Sequence, residues 1–215
     1  PPVLSYVLTF GWVLGLINAY NLIDGLDALC GNLSITAALT LGLLYAFSGN
    51  NESVLCFILA ASILGFLCWN KPPAKIFMGD EGSQFLGFII AIIPLYTSGD
   101  KFEYNKFVTM IILTSLPIAD TIAAIWRRLR EHRSIMSPDK QHLHHKLLNM
   151  GYSKKGTLIV ITVIQIFLCI TTVAAFFVET VASVCILCFS LVFVTMFFTV
   201  IHFSNNVVKE RMENE

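Results

Sequence analysis

Long apolar runs separated by short polar segments set the rhythm of this sequence, with aliphatic and aromatic side chains dominating residues 3–20, 33–48, 53–69, 84–98, 107–125, 157–178 and 181–203. Several runs fall short of the roughly twenty residues that cross a hydrocarbon core, so their ends are set only to within a few residues. An open strand would leave backbone N–H and C=O groups unpaired in lipid, which makes helices the expected form of every run. The pattern predicts an all-α polytopic transmembrane helix bundle of about seven spans. It forms a single integral-membrane domain over residues 1–215, with a basic, histidine-containing loop at 126–156 inside it. No internal repeat or low-complexity stretch interrupts it.

Composition agrees. Hydrophobic residues make up 56% of the chain and charged ones 13%, with a mean hydropathy of +0.74, too apolar for an ordinary soluble domain. The same figures exclude disorder and collagen-like or disulfide-rich scaffolds. Fourteen Lys and Arg balance fourteen Asp and Glu, so the net charge of zero is silent about partners, and only the placement of charge is informative. Lys71, Lys75, Arg127, Arg128, Arg130, Arg133, Lys140, Lys146, Lys154, Lys155, Lys209 and Arg211 fall in one set of alternate polar segments, and only Lys101 and Lys106 in the other. This positive-inside asymmetry places the first set in the cytoplasm and the start of the chain outside. Cys56, Cys68, Cys169, Cys185 and Cys188 lie in apolar runs and Cys30 near a polar loop; all are expected to be buried, inert thiols. The chain starts Pro1-Pro2 with no Met and no basic n-region, which suggests a portion of something longer rather than a signal peptide.

Polar chemistry concentrates at the cytoplasmic ends. Asn18, Asn21 and Asp24 are spaced by three, which would put them on one side of a continuing helix, followed by Gly25 and Asp27. Helix capping explains one or two such residues, but ionisable groups this close to lipid are costly unless they bind something. A second stretch runs Asn70-Lys71-Pro72-Pro73-Ala74-Lys75-Ile76-Phe77-Met78-Gly79-Asp80-Glu81-Gly82-Ser83. Its glycines let a backbone approach a ligand, and a hard carboxylate such as Asp80 suits Mg²⁺, which takes one or two protein carboxylates beside substrate phosphates. An acidic first turn favouring the helix dipole is the plainer account. The third stretch, Ser137-Pro138-Asp139-Lys140-Gln141-His142-Leu143-His144-His145, sits in a loop whose Lys and Arg would attract diphosphate and whose imidazoles could bond phosphoryl oxygens. A purely topogenic role for its basic residues is the rival, and a zinc site lacks Cys and an HExxH pattern. Asp120, after Pro117, is expected either to pair with Arg127 or Arg128 or to orient the loop.

Together these stretches resemble the polyprenyl-phosphate N-acetylhexosamine-1-phosphate transferases, membrane enzymes that begin lipid-linked glycan synthesis. The matching residues are Asn18-x-x-Asn21-x-x-Asp24-Gly25-x-Asp27, Phe77-Met78-Gly79-Asp80-x-Gly82-Ser83, Pro117-x-x-Asp120 and Ser137-Pro138-Asp139-x-x-His142-x-His144-His145, four motifs in family order. The histidine form is similar to the branch that transfers GlcNAc-1-phosphate from UDP-GlcNAc to undecaprenyl phosphate, rather than the phospho-MurNAc-pentapeptide branch. The resemblance implies Mg²⁺ or Mn²⁺, release of UMP, a bacterial plasma-membrane location with a cytoplasmic site, and lipid-linked O-antigen, common-antigen or teichoic-acid products. It implies Asp24, Asp27 and Asp80 as catalytic carboxylates, and Asp80 with Asn21 at the metal. Asn18, Lys75, Phe77, Arg127, Arg128, His142, His144 and His145 are implied to bind substrate, Phe77 by stacking on uracil. The implied partners are a UDP-N-acetylhexosamine, undecaprenyl phosphate and membrane lipids, with no nucleic acid, and a homodimer is left open.

The chain also departs from the family, whose members have about ten or eleven spans and an adjacent aspartate pair absent here; a C-terminal portion is therefore expected, and activity of this chain alone is not. Ala28 stands where Gly is usual, and Glu81 where a small or neutral residue is common. A CDP-alcohol phosphatidyltransferase would need an Arg shortly after Asp24-Gly25 and further spaced aspartates, which are lacking. A transporter or scaffold binding anionic lipid leaves the Gly-Asp-x-Gly-Ser run unexplained.

Overall fold

The computed structural model describes residues 2–96, 104–135, 137, 139 and 141–213; of the residues read above, Lys101, Pro138 and Lys140 lie outside them, as does the side chain of Lys106. The described residues form helices α1 (Pro2–Ile23), α2 (Leu29–Phe47), α3 (Ser53–Asn70), α4 (Gly79–Tyr96), α5 (Tyr104–Leu113), α6 (Ser115–Arg130), α7 (Leu143–Asn149), α8 (Lys154–Phe176) and α9 (Thr180–Glu213). Five of them, at Val3–Ile23, Leu29–Phe47, Ser53–Asn70, Lys154–Phe176 and Thr180–Arg211, are long and apolar enough to cross a membrane. α4 and the α5–α6 pair occupy the other two apolar runs, so the rhythm of seven is kept.

The fifth run breaks at Thr114 for a covalent reason. Pro117 has no N–H to give the carbonyl of Leu113, and a free carbonyl inside a membrane bundle must find another donor. Gln165 of α8 supplies it, its Nε2 donating to Leu113 O at 2.9 Å from a fully buried position. α1 packs along α4 and across α6, α2 lies between α3 and α8, and α9 runs beside α8. The 34 residues of α9 rise about 51 Å, well beyond a hydrocarbon core of about 30 Å. Its far end leaves the apolar zone and packs on α7.

Two expectations are corrected. α1 stops at Ile23, so Asp24 leaves the helix instead of continuing the face of Asn18 and Asn21; the amides of Asp24 and Gly25 turn back onto Asn21 O and Ile23 O at 3.3 and 2.8 Å. All six cysteines are free, but only Cys30, Cys56 and Cys169 are buried, whereas Cys68, Cys185 and Cys188 face outward. An apolar run in a membrane bundle has a lipid side as well as a packed side, so membership of a run does not imply protein contact.

Candidate functional site

Four chain segments converge where α1, α3, α4 and α6 end or begin on one face. Asn21, on the last turn of α1, donates from Nδ2 to Asp80 Oδ1 at 3.1 Å and to Ser83 Oγ at 3.2 Å. Asp80 lies in the exposed first turn of α4, while Ser83 is fully buried one turn on. This contact is what the close approach of α1 and α4 produces. A Cβ at Gly87 would stand 2.6 Å from Leu16 O and 2.9 Å from Ile17 Cα, so only glycine permits the helices to lie this near.

The loop after α1 is held by the segment after α3. Asn70, 5% exposed at the end of α3, accepts from Ala28 N at 2.9 Å and donates from Nδ2 to Ile76 O at 2.8 Å. Asp27 Oδ2 accepts from Ala74 N at 3.1 Å, a second tie between the same segments. Ala28 itself adopts a φ of 64°, the left-handed region that an L side chain rarely occupies. That geometry explains why glycine suits the position better. Asn70 is the strut that sequence reasoning did not single out; its signal was an amide closing an apolar run.

The histidine segment folds onto the same place. Asp120 of α6 is buried, with Oδ2 2.9 Å from His142 Nδ1 and Oδ1 accepting from Leu143 N at 2.8 Å. The predicted choice thus resolves toward loop orientation, since Arg127 pairs instead with Asp139 at 2.6 Å and Arg128 Nη1 donates to Ile135 O at 2.6 Å. His142 and His144 are stacked at 6.1 Å with planes 3° apart, and His145 lies 4.2 Å beyond His144. His144 sits against Gly25, where a Cβ would fall 2.3 Å from its Nε2. Both of its ring nitrogens are buried without a hydrogen-bond partner.

The electrostatics follow from this crowding. Burial, with Asp80 and Asp27 nearby, pushes the Asp24 carboxyl up to about 6. Burial and the neighbouring His145 push His144 down to about 4. Burial and Arg127 lower the Lys146 ammonium. For Asp139 burial acts upward, but the Arg127 guanidinium and the Gln141 amide outweigh it and hold the carboxyl below its ordinary value.

Other expected site residues stand apart. Asn18 Nδ2 donates to Leu14 O of its own helix at 3.1 Å. Lys75 Nζ lies over the Trp69 ring at 5.3 Å, and Phe77 is 77% exposed. Among the described residues no group of three or more His, Cys, Asp and Glu is placed to hold a metal ion. The expected donor pair of Asp80 and Asn21, with the crowded Asp24 beside it, nevertheless fits Mg²⁺, which draws most of its shell from water and substrate phosphate. Mutually repelling carboxylates, one of them pushed up to about 6, are relieved by a cation.

Residues 1–98 match the family model described as glycosyl transferase family 4. The chain is 41% identical over 79% of its length to a probable undecaprenyl-phosphate N-acetylglucosaminyl 1-phosphate transferase of Bacillus subtilis, covering 48% of that protein. It is 35% identical over 74% of its length to the undecaprenyl-phosphate alpha-N-acetylglucosaminyl 1-phosphate transferase of Escherichia coli K12, covering 44% of it. To the Yersinia pestis protein of that name the identity is 37% over 74% of the chain, with 45% of the relative covered. The chain thus spans just under half the length of these curated relatives.

Proposed function

We propose that this chain, similar over most of its length to undecaprenyl-phosphate N-acetylglucosaminyl 1-phosphate transferases, is part of a polyprenyl-phosphate N-acetylhexosamine-1-phosphate transferase and supplies the Asp24, Asp80 and histidine part of a site that transfers GlcNAc-1-phosphate from UDP-GlcNAc to undecaprenyl phosphate, releasing UMP. The observation that carries the reading is the convergence of four separate polar segments, joined through Asn21–Asp80, Asp27–Ala74, Asn70–Ala28 and Asp120–His142, at one end of an apolar bundle. A site at a membrane face lets a water-soluble nucleotide sugar meet the head group of a lipid whose tail stays in the bilayer. The proposed setting is the cytoplasmic face of a bacterial plasma membrane.

The reaction joins a lipid phosphate oxygen to the sugar-bearing phosphorus and breaks that phosphorus's bond to the bridging oxygen of UMP. The bond between the sugar and its phosphate oxygen is untouched, so anomeric configuration is kept. Such transfers ask the protein mainly to position reactants and to neutralise charge. Mg²⁺ or Mn²⁺, held by Asp80 with Asn21, would supply Lewis-acid stabilisation of the diphosphate. Asp24 and Asp27 orient substrate and the Asp80 region. Phe77, exposed and aromatic, offers a face to uracil, and His142, His144 and His145 face the phosphate or sugar. Arg127 and Arg128 serve by holding the histidine segment through Asp139 and Ile135 O.

The test is radiolabelled UDP-GlcNAc transfer by the full-length protein in membranes. Asp80→Asn should cost at least a hundredfold in kcat, because an interaction worth several kcal/mol is lost. Wild-type turnover with an unchanged Mg²⁺ dependence rejects the metal assignment.

A further inference from the structure

We infer that Asp120 is a positioning residue that acts through His142, fixing the proton on Nδ1 and the tilt of the ring so that Nε2 is the nitrogen offered to the nucleoside diphosphate sugar. The inference rests on the reading of the histidines as donor-binding groups and goes beyond it, because it assigns the selection of which nitrogen does the binding to a helix of the bundle.

Both oxygens of Asp120 are committed. Oδ1 accepts from the backbone amide of Leu143, the first residue of α7, and Oδ2 faces His142 Nδ1. An ionised carboxylate only accepts, so the ring must carry its proton on Nδ1, and Nε2 makes no hydrogen bond among the described residues. The side chain of His142, at the N-cap of α7, gives that helix no cap of its own. Asp120, 22 residues earlier, takes over that task. A seven-residue helix is too short to persist alone, so the same carboxylate both docks α7 on α6 and sets the imidazole. The near-parallel stack of His142 on His144, and the close approach of the His144 ring to Gly25, carry the setting to the loop that bears Asp24. Neither Arg127 nor Arg128 competes for Asp120, since both guanidinium groups are bonded within the loop. A carboxylate behind an imidazole is how metal and hydrolase sites select a tautomer; here the selected nitrogen would serve substrate binding.

Asp120→Asn in the full-length protein separates this role from a structural one. Asn keeps an oxygen for Leu143 N, but its Nδ2 donates, so the ring nitrogen beside it must accept and the proton moves to Nε2. We expect the KM for UDP-GlcNAc to rise about tenfold or more, with the KM for undecaprenyl phosphate and the melting temperature held. In a His142→Ala background the same substitution should add nothing. A wild-type KM in Asp120→Asn, or an undiminished loss in the His142→Ala background, overturns the inference. Should Asp120→Asn fail to accumulate, His142→Asn decides: its amide can still donate to Asp120 but presents nothing at the Nε2 position, so a folded protein with wild-type KM is equally fatal. Calorimetric titration with UDP keeps the two readings apart. Weakened UDP binding in Asp120→Asn together with no transfer by the wild type sinks the transferase reading and keeps this one; no UDP binding by the wild type sinks both.

Discussion

At the scale of single residues, contact distances decide more than residue type. Gly25 appears in the sequence only as part of the Asp24-Gly25-x-Asp27 motif, yet its structural demand is the imidazole of His144, which a Cβ would meet at 2.3 Å. Gly25→Ala should therefore displace His144 and cost about 1–3 kcal/mol of overpacking, read as a lower melting temperature together with at least a tenfold loss of transfer. An unchanged melting temperature and rate would show that the ring has room to move. Asp24 gives a pH prediction. With the folded carboxyl raised to about 6 from the ordinary 3.8, its contribution to stability is fully present below 3.8 and is lost as pH rises through 6. For activity the ionised form is needed, so transfer should fall as pH drops through about 6. Raising the Mg²⁺ concentration should move that acid limb downward, because a cation held beside Asp24 favours its ionised form; a limb that ignores Mg²⁺ would detach Asp24 from the cation site. The sequence could not reveal either effect, since Gly25 and His144 are far apart along the chain and meet only through the docking of α7.

Among the elements, the apolar runs were legible because the bilayer imposes length and polarity on any segment that crosses it. Their ends were not. Asp24 has the same spacing as Asn18 and Asn21, and the backbone turn at Ile23–Gly25 that removes it from the helix face is followed by hydrogen bonds that Asn70 accepts from Ala28 N and Asp27 accepts from Ala74 N. Periodicity has no access to such ties. The break between α5 and α6 was half legible: Pro117 announces a kink, while the rescue of Leu113 O by Gln165 needs α8 in place. The α1–α4 contact is the element on which the Asn21–Asp80 bond depends, and Gly87 is its narrowest point. Gly87→Leu should push the helices apart, lower the melting temperature by several degrees and abolish transfer even though the residue is remote from the reacting groups. Gly87→Ala should do the same in smaller measure. Retention of full activity in Gly87→Leu would mean that the two helices do not need to touch for Asp80 to be placed.

For the whole molecule, the arrangement of ends turns a charge count into a testable topology. Asp24, Asn70, Asp80 and His144 gather at one end through the contacts that join α1, α3, α4 and α7. At the other end a cavity of about 250 Å³ collects Ser48, Asn50, Pro94, Val178 and Thr180 from the opposite ends of α2, α4 and α8 and the start of α9. The fold therefore has two distinct faces, and among the described residues Lys71, Lys75, Arg127, Arg128, Arg130, Arg133, Lys146, Lys154 and Lys155 lie at the helix ends and loops that carry the carboxylates and imidazoles. Basic segments resist translocation, and phosphate-bearing substrates attract them, so topogenic and functional pressures act on the same residues and cannot be separated by counting. Labelling can separate them. Single cysteines at Lys71, Lys146 and Asn50, in a background with the native six replaced, should react with a membrane-impermeant maleimide from opposite sides: Asn50→Cys in intact cells, and Lys71→Cys only after permeabilisation. Lys146→Cys, being buried, should react slowly after permeabilisation and faster once α7 is loosened by Asp120→Ala. Labelling of Lys71→Cys in intact cells would place the carboxylates outside, where nucleotide sugars are scarce, and would remove the ground for a cytoplasmic donor whatever the local geometry of the site.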